Sequence, residues 1–258
     1  MRKIFIGDVH GMLDELVALV ELIKPTPDDT LVFVGDLVDK GPNSAEVVKW
    51  VRNLKGFTNV ILVKGNHEWK HERFRKKVLA GDLSGAMALK GAEELREITE
   101  ALDGEDIAFL ESSPGYFRIG KYLVVHGGIP GTMTSLPASP NMGGLSSKGR
   151  APFEIMMMTR FLDQSTGEML VLGYQKVGDP YWAEVYDGRF GRVVFGHEPF
   201  MKGPQVFPHA VGLDTGAVYG GGLTAMVVEA EGVEHFVSVP SRAFQVKKEY
   251  PPTKPAIA

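Results

Sequence analysis

Short apolar runs alternate with segments of helical periodicity along the first part of the chain. Three runs have the length of buried strands, namely Lys3–Ile6, Leu31–Val34 and Asn59–Val63. Met12–Lys24 repeats apolar residues at helical spacing and stops before Pro25, and a second helical pattern begins at Pro42 and stops at Gly56. This strand–helix–strand–helix–strand order predicts a parallel sheet with right-handed crossovers.

The middle of the chain is predicted to be helical and then to form a hairpin. Trp69–Leu110 has a helical pattern in which one helix is expected over Ala86–Leu102. Tyr116–Ile119 and Tyr122–Val125 flank a Gly-Lys pair and predict a β-hairpin. Phe153–Phe161 is expected to form a short helix or strand.

Apolar runs near the end of the chain predict a second sheet. A buried strand is expected at Val193–Gly196, followed by antiparallel strands that close this sheet at Val211–Leu213, Leu223–Glu229 and His235–Val239. Residues 1–246 are predicted to form one domain. Residues 247–258 lack a core-forming pattern and are expected to be a loose tail.

Five apolar runs end in Gly, Asp, Asn or His. The segments are KIFIGDVHG (3–11), LVFVGDLVDKG (31–41), NVILVKGNHE (59–68), YLVVHGG (122–128) and RVVFGH (192–197). Ligands in α/β proteins lie beyond the carboxyl ends of parallel strands. We therefore expect the chain to build one site from five strand ends.

Composition narrows the function classes. The 258 residues are 44% hydrophobic and 23% charged, which is typical of a globular protein. A net charge of −4 argues against binding to nucleic-acid duplexes. Without an unbroken run of about 18–20 apolar residues, no membrane span is expected, and the cytoplasm is the expected location. The chain contains 0 cysteines, which excludes thiolate ligands and a cysteine nucleophile.

The polar side chains at the strand ends suit metal ions. The candidate ligands are Asp8, His10, Asp36, Asn66, His126 and His197. Carboxylates, imidazoles and an amide oxygen favour manganese, with iron, zinc or cobalt as alternatives. This set is too large for one catalytic ion but fits two divalent ions that share a bridging carboxylate, for which Asp36 is the candidate. Two adjacent cations would lower the pKa of a bridging water, so that hydroxide attacks directly near neutral pH.

Other residues can serve the leaving group and the phosphate. His67 follows Asn66 and can act as the general acid if Asp39 orients its imidazole. Lys40 and Arg160 are the candidates for neutralising phosphoryl oxygens. The basic segment Lys70–Lys77 is interpreted as a solvated helix face. The histidines outside the strand-end motifs, His71, His209 and His235, are expected to have no role in the site.

These motifs resemble those of the calcineurin-like metallophosphoesterases, and more narrowly of the phosphoprotein-phosphatase branch. That branch includes bacterial and phage bis(5′-nucleosyl)-tetraphosphatases, among them the symmetrical ones, and small serine/threonine phosphatases. The resemblance covers residue 3 to about residue 230. It implies an α/β fold (α+β) of four layers, an αββα sandwich in which two packed mixed β-sheets are flanked by helices.

The resemblance also implies roles for individual residues. One metal would be held by Asp8, His10 and Asp36, and the other by Asp36, Asn66, His126 and His197. Asp39 would support His67, and the Lys40 position would contact phosphate. The family usually has arginine at that position, and lysine lacks the bidentate fork of arginine.

The substrate is less well defined than the reaction. GLDTGAVYGGGLTAMVVE (212–229) and TRFLDQSTGEM (159–169) resemble the symmetrical dinucleoside-tetraphosphate hydrolases and favour a diadenosine-tetraphosphate hydrolase. GNHE and HGG, in contrast, are common in protein phosphatases. A serine/threonine protein phosphatase, a phosphatase on RNA ends or small nucleotides, and a non-catalytic binding protein remain alternatives. Residues 129–187 are expected to face the substrate, and the possible base platforms are Tyr174, Tyr181, Trp182 and Tyr186.

Overall fold

The computed structural model describes residues 1–241, and the predicted tail at 247–258 lies outside the described residues. Its strands are β1 (Lys3–Ile6), β2 (Thr30–Phe33), β3 (Asn59–Leu62), β4 (Phe117–Ile119), β5 (Tyr122–Val124), β6 (Phe161–Leu162), β7 (Met169–Leu170), β8 (Arg192–Phe195), β9 (Gln205–Val206), β10 (Ala210–Gly212), β11 (Gly222–Val228) and β12 (Glu234–Pro240). Its α-helices are α1 (Leu13–Ile23), α2 (Ser44–Leu54), α3 (Asn66–Leu79), α4 (Leu83–Met87), α5 (Ala92–Ala101), α6 (Gly104–Glu111), α7 (Ser147–Met158) and α8 (Trp182–Val185).

Two mixed five-stranded sheets form the centre of the fold. The first has the order β12-β11-β1-β2-β3, and the second has the order β4-β5-β8-β10-β9. β1, β2 and β3 are parallel, as the sequence predicts. β5, β8 and β10 are also parallel, so the carboxyl ends of several strands in each sheet point the same way.

Side chains from both sheets pack against each other. Phe5 and Val32 of the first sheet meet Val124 and Val194 of the second in one buried cluster. A second cluster joins the other face of the first sheet to α1, α2 and α6, and a third joins the other face of the second sheet to α7 and α8. The predicted four-layer αββα sandwich is confirmed.

The last strands form where the sequence predicts them, and β11 and β12 are antiparallel as expected, but the predicted sheet was wrong for both. β11 pairs antiparallel with β1 and β12, so both late strands extend the first sheet and do not close the second. β10 joins the second sheet but runs parallel to β8. β11 is apolar on both faces, with Ala225 toward the helices and Met226 toward the other sheet. A position beside β1 buries both of these faces.

The helical predictions need two corrections. The single helix expected over Ala86–Leu102 is divided between α4 and α5, because Gly91 adopts a left-handed conformation (φ 75°) directly before α5. The segment Phe153–Phe161 contains the end of α7 and the start of β6. Within residues 1–241, no helix is long and apolar enough to cross a membrane.

Candidate active site

The turns after the strands are held in an unusual backbone conformation. Within the described chain, five of the six non-glycine residues with positive φ lie in these turns: His10 (47°), Asp36 (55°), Asp39 (69°), Lys40 (71°) and His197 (70°). This conformation is costly for residues with a Cβ and persists where the surrounding structure enforces it. The strain is concentrated at the strand ends, where it directs polar side chains into one cleft.

Two glycines let the turns approach each other. A Cβ on Gly65 would lie 2.2 Å from Asp36 Oδ1, and a Cβ on Gly196 would lie 1.9 Å from Asp8 Oδ1. Because both contacts are far too short, glycine is required directly before Asn66 and directly before His197.

Asp36 lies at the centre of the cleft. It belongs to two groups of potential metal ligands, His10–Asp36–His67 and Asp36–His126–His197, and in each group the ligand atoms lie within 4.8 Å of one another. A carboxylate shared by two groups is the arrangement expected of a bridging ligand. Neither group includes Asp8, and His67 takes its place in the first group.

Backbone carbonyls fix the orientation of two histidine rings. His10 Nδ1 lies 2.8 Å from the Val38 carbonyl oxygen, and His126 Nδ1 lies 3.0 Å from that of Val34. The two Nε2 atoms therefore face Asp36 Oδ2, at 3.6 Å for His10 and 3.1 Å for His126. A carbonyl on one ring nitrogen, with the other nitrogen toward the site, is typical of metal-binding histidines.

Asp8 and His197 each have a buried atom without a hydrogen-bond partner in the described structure, namely Asp8 Oδ1 and His197 Nε2. The other oxygen of Asp8 accepts a hydrogen bond from the His197 backbone N–H at 3.0 Å. Asn66 Oδ1 lies 3.0 Å from His126 Nε2. Buried polar atoms without partners are rare, so this donor set fits metal ions bound by oxygen and nitrogen.

The charges of the cleft also suit cations. Burial opposes the ionisation of Asp36, yet the neighbouring histidines, His126 first, hold the pKa of Asp36 well below its usual range. Burial lowers the pKa values of His10 and His197, which keeps both rings neutral. For His126, burial is outweighed by Asp36, which raises the pKa to about 9. A metal ion at His126 must therefore displace a proton at neutral pH.

Asp39 receives more partners than the sequence predicts. Its Oδ2 lies 2.5 Å from His67 Nδ1, as expected for a carboxylate that orients this ring. The same oxygen lies 2.6 Å from Lys70 Nζ, and Oδ1 lies 2.6 Å from His71 Nε2. Burial opposes a charged Asp39, yet the hydrogen bonds from His67 and His71 hold its pKa well below the usual range.

Two expectations about α3 need correction. His71 is completely buried against Asp39. The basic segment Lys70–Lys77 is a solvated face only in part, because Lys70 reaches Asp39 and Arg75 is buried, whereas Arg73 and Lys76 are exposed. The sequence does contain a signal for His71, since it follows His67 by one helical turn and must lie on the same face of α3.

Glu68 is a further residue without a predicted role. Its carboxylate accepts hydrogen bonds from the backbone N–H groups of Leu37 (2.7 Å), Asp36 (2.8 Å) and Gly65 (3.0 Å). It therefore ties the Asp36 turn to the start of α3. A glutamate at the third position of a helix is a known capping signal that sequence reasoning could have used.

The two predicted phosphate contacts flank the cleft. Lys40 Nζ lies 2.7 Å from His10 Nε2 and 5.4 Å from the ring centre of Tyr219. Arg160 donates from Nε to Glu198 at 2.7 Å and from Nη2 to the His197 carbonyl at 2.8 Å. The structure thus brings both cations to the ligand groups, beside His10 and beside His197.

Three of the four aromatic residues that the sequence suggests for stacking against a base are buried. Tyr181, Trp182 and Tyr186 are buried in the cluster between the second sheet and α7. Of the four aromatic residues proposed from the sequence, Tyr174 is exposed, with 75% of its surface accessible. The hypothesis of base stacking is therefore wrong for the three buried rings.

Comparison with known proteins identifies the family. The sequence profile of the calcineurin-like phosphoesterases matches residues 1–201. The chain belongs to the calcineurin-like phosphoesterase family. It is therefore a metal-dependent phosphoesterase, and its Asp and His groups imply divalent metal ions.

Relatives of this phosphoesterase include dinucleotide hydrolases. The chain is 32% identical to the asymmetrical bis(5′-nucleosyl)-tetraphosphatase PrpE of Halalkalibacterium halodurans, over 97% of this chain and 98% of the relative. It is 36% identical to a symmetrical bis(5′-nucleosyl)-tetraphosphatase of Methylococcus capsulatus, over 48% of this chain and 42% of the relative. A crystal structure provisionally assigned as a diadenosine tetraphosphatase has a TM-score of 0.67 and 28% identity, with 93% of each chain covered.

Proposed function

We propose that this phosphoesterase hydrolyses dinucleoside tetraphosphates such as diadenosine tetraphosphate, and that it cleaves them asymmetrically into a nucleoside monophosphate and a nucleoside triphosphate. The supporting observation is the similarity to PrpE, an asymmetrical enzyme, which extends over 97% of the chain. The similarity to the symmetrical enzyme covers 48% of the chain. The sequence pattern favoured the symmetrical enzymes, and the wider coverage favours asymmetrical cleavage.

Divalent metal ions, when bound in the cleft, would supply activation of water and neutralisation of phosphate charge. Asp8, His10 and Asp36 would hold one ion, and Asp36, Asn66, His126 and His197 would hold the other. Manganese is the proposed metal, because carboxylate, imidazole and amide ligands suit it.

The chain's own side chains would serve the leaving group. His67 would donate a proton to the departing oxygen, while Asp39, at 2.5 Å, keeps the ring oriented. Lys40 and Arg160 would neutralise phosphoryl oxygens from the two sides of the cleft. The single domain at 1–246, the substrate-facing role of 129–187 and the cytoplasmic location remain predictions.

The test is product analysis with diadenosine tetraphosphate and Mn²⁺ in water enriched in heavy oxygen. We expect equal amounts of AMP and ATP, with the label in AMP if ATP is the leaving group. ADP as the sole product would show symmetrical cleavage and would overturn the asymmetrical part of the proposal. Release of phosphate from a phosphopeptide, with diadenosine tetraphosphate left intact, would overturn the proposal. Asp36→Asn is the control for metal-dependent turnover.

A further inference from the structure

We propose that Lys70 binds the phosphates of the leaving group and thereby favours substrates whose leaving group is itself phosphorylated. This inference deepens the proposed function and rests on it. The observation that leads to it is that Lys70 shares a carboxylate oxygen with the candidate general acid, His67.

Lys70 lies beside His67 at the edge of the cleft. Its Nζ is 2.6 Å from Asp39 Oδ2, the oxygen that lies 2.5 Å from His67 Nδ1. Both residues are on α3, three positions apart, and therefore on one face of the helix. The Lys70 side chain is 25% exposed, whereas that of Asp39 is 1% exposed, so the ammonium group is within reach of a ligand that enters from solvent.

Asp39 is held in place without Lys70. His67 contacts Oδ2, and the buried His71 contacts Oδ1 at 2.6 Å, so each oxygen of the carboxylate has an imidazole partner. The Asp39 backbone N–H donates to Ser44 Oγ at 3.0 Å. The Lys70 ammonium can thus turn from Asp39 toward an anionic ligand while the carboxylate stays in place.

The other cations of the cleft lie elsewhere. Lys40 contacts His10, and Arg160 is bound to Glu198 and to the His197 carbonyl. Within residues 1–241, Lys70 is the lysine that contacts the carboxylate behind His67. The side of the cleft assigned to the leaving group therefore has a cation of its own.

A phosphoanhydride substrate would supply an anionic ligand for Lys70, namely the phosphates of the leaving group. Hydrolysis joins the oxygen of water to one phosphorus and breaks the bond from that phosphorus to the bridging oxygen. The bridging oxygen leaves with a proton from His67 and with the remaining phosphates still attached. Because this oxygen must lie near His67, the next phosphate lies near Lys70, and charge-assisted hydrogen bonds form between them. The leaving group of an aryl or alkyl phosphate has no such charge.

The test compares substrates with three kinds of leaving group, phosphorylated, aryl and alkyl, in the full-length, metal-loaded enzyme. Lys70→Met should lower kcat/KM for diadenosine tetraphosphate and for ATP by about 10- to 100-fold, the usual range for loss of a charged hydrogen bond. It should change kcat/KM for p-nitrophenyl phosphate and for glycerol phosphate by less than about threefold. Lys70→Arg should recover most of the loss. Lys77→Met is the matched control, because Lys77 is on the same helix and pairs with the exposed Asp82 at 2.7 Å.

Each outcome decides the proposal. A loss on glycerol phosphate as large as that on diadenosine tetraphosphate would show that Lys70 acts through Asp39 and His67, and it would overturn the proposal. Unchanged turnover of the anhydrides would overturn it too. If the wild type cleaves ATP but not diadenosine tetraphosphate, and Lys70→Met loses ATP cleavage selectively, the inference holds and the proposed substrate fails. If the wild type cleaves no phosphoanhydride, both fail.

Discussion

Replacing His71 with leucine should weaken both the fold and the contact between Asp39 and the proposed general acid, His67. His71 is completely buried, and its Nε2 lies 2.6 Å from Asp39 Oδ1. Leucine is of similar size and favours helix, so packing and helix propensity change little. The substitution mainly removes a hydrogen-bond donor from a buried carboxylate. His71→Gln is the matched variant, because its amide can still donate to Asp39.

The expected magnitude follows from the charge of Asp39. A hydrogen bond to a charged group contributes about 1.5–3 kcal/mol, and we expect His71→Leu to lower the free energy of unfolding by about 2 kcal/mol. For a chain of this length that corresponds to a Tm lower by roughly 4–8 °C. The pKa of Asp39 is depressed in the folded state. Its stabilisation is therefore complete above the unfolded pKa of about 4 and is lost as pH falls further. At pH 7 the whole effect should be measured.

Catalysis should change together with stability. Without His71 the Asp39 carboxylate can rotate, and the His67 ring loses its fixed position. Small misplacements of catalytic groups cost up to about 100-fold, so kcat for phenyl phosphate should fall by about 10- to 100-fold. Turnover of p-nitrophenyl phosphate, whose leaving group needs little protonation, should fall less.

The assay combines thermal unfolding at pH 7 with steady-state kinetics on both aryl phosphates. His71→Gln should retain a Tm within a few degrees of the wild type and most of the activity. Equal losses in the Leu and Gln variants would show that ring packing, and not the hydrogen bond, explains the effect. An unchanged Tm in His71→Leu would refute the reasoning.

Three further predictions concern the metal centre and the acid. His67→Asn should lower kcat for phenyl phosphate by about 10²–10⁴-fold with metal content unchanged, as measured by elemental analysis; a proportional loss of metal would make His67 a ligand. Because the pKa of His126 is about 9 in the metal-free protein, Mn²⁺ affinity should rise between pH 6.5 and pH 9 with release of a proton, measured by titration calorimetry in two buffers. The raised pKa of His126 should also stabilise the metal-free protein fully below the unfolded pKa of about 6.5, and this contribution should be lost as pH rises from there through about 9; a flat unfolding profile would contradict this.

The strand ends were predictable because two local signals agreed there. A buried strand is apolar without interruption. At four of the five strand ends the apolar run is followed by Gly and then Asp, Asn or His, and at the fifth His126 comes directly before Gly127. The structure places Asp36, His126 and His197 in one group, as this pattern predicts. The left-handed φ of Asp36 and His197 was not visible in the pattern, although Asp and His adopt this conformation more readily than most residues do.

Partners across the sheets could not be predicted in the same way. Strand periodicity shows which faces are buried but not which neighbour covers them, so β11 was assigned to the wrong sheet. The prediction that aromatic residues of 129–187 stack against a base was wrong for the same reason. Aromatic residues such as Tyr181 and Trp182 are typical of binding surfaces, but in this fold both pack against an apolar face of the second sheet and are buried.

The contacts that α3 makes with Asp39 could not be predicted, because the sequence does not show the conformation of the turn that contains Asp39. His67, Lys70 and His71 occupy one face of α3, and helix geometry alone places them together. Their common partner is Asp39, whose left-handed φ of 69° turns its carboxylate toward α3. A right-handed conformation at this position would direct the carboxylate elsewhere and remove the partner that these three side chains share. The contacts of Lys70 and His71 with the site therefore depend on one residue of a loop that precedes both of them by more than thirty residues.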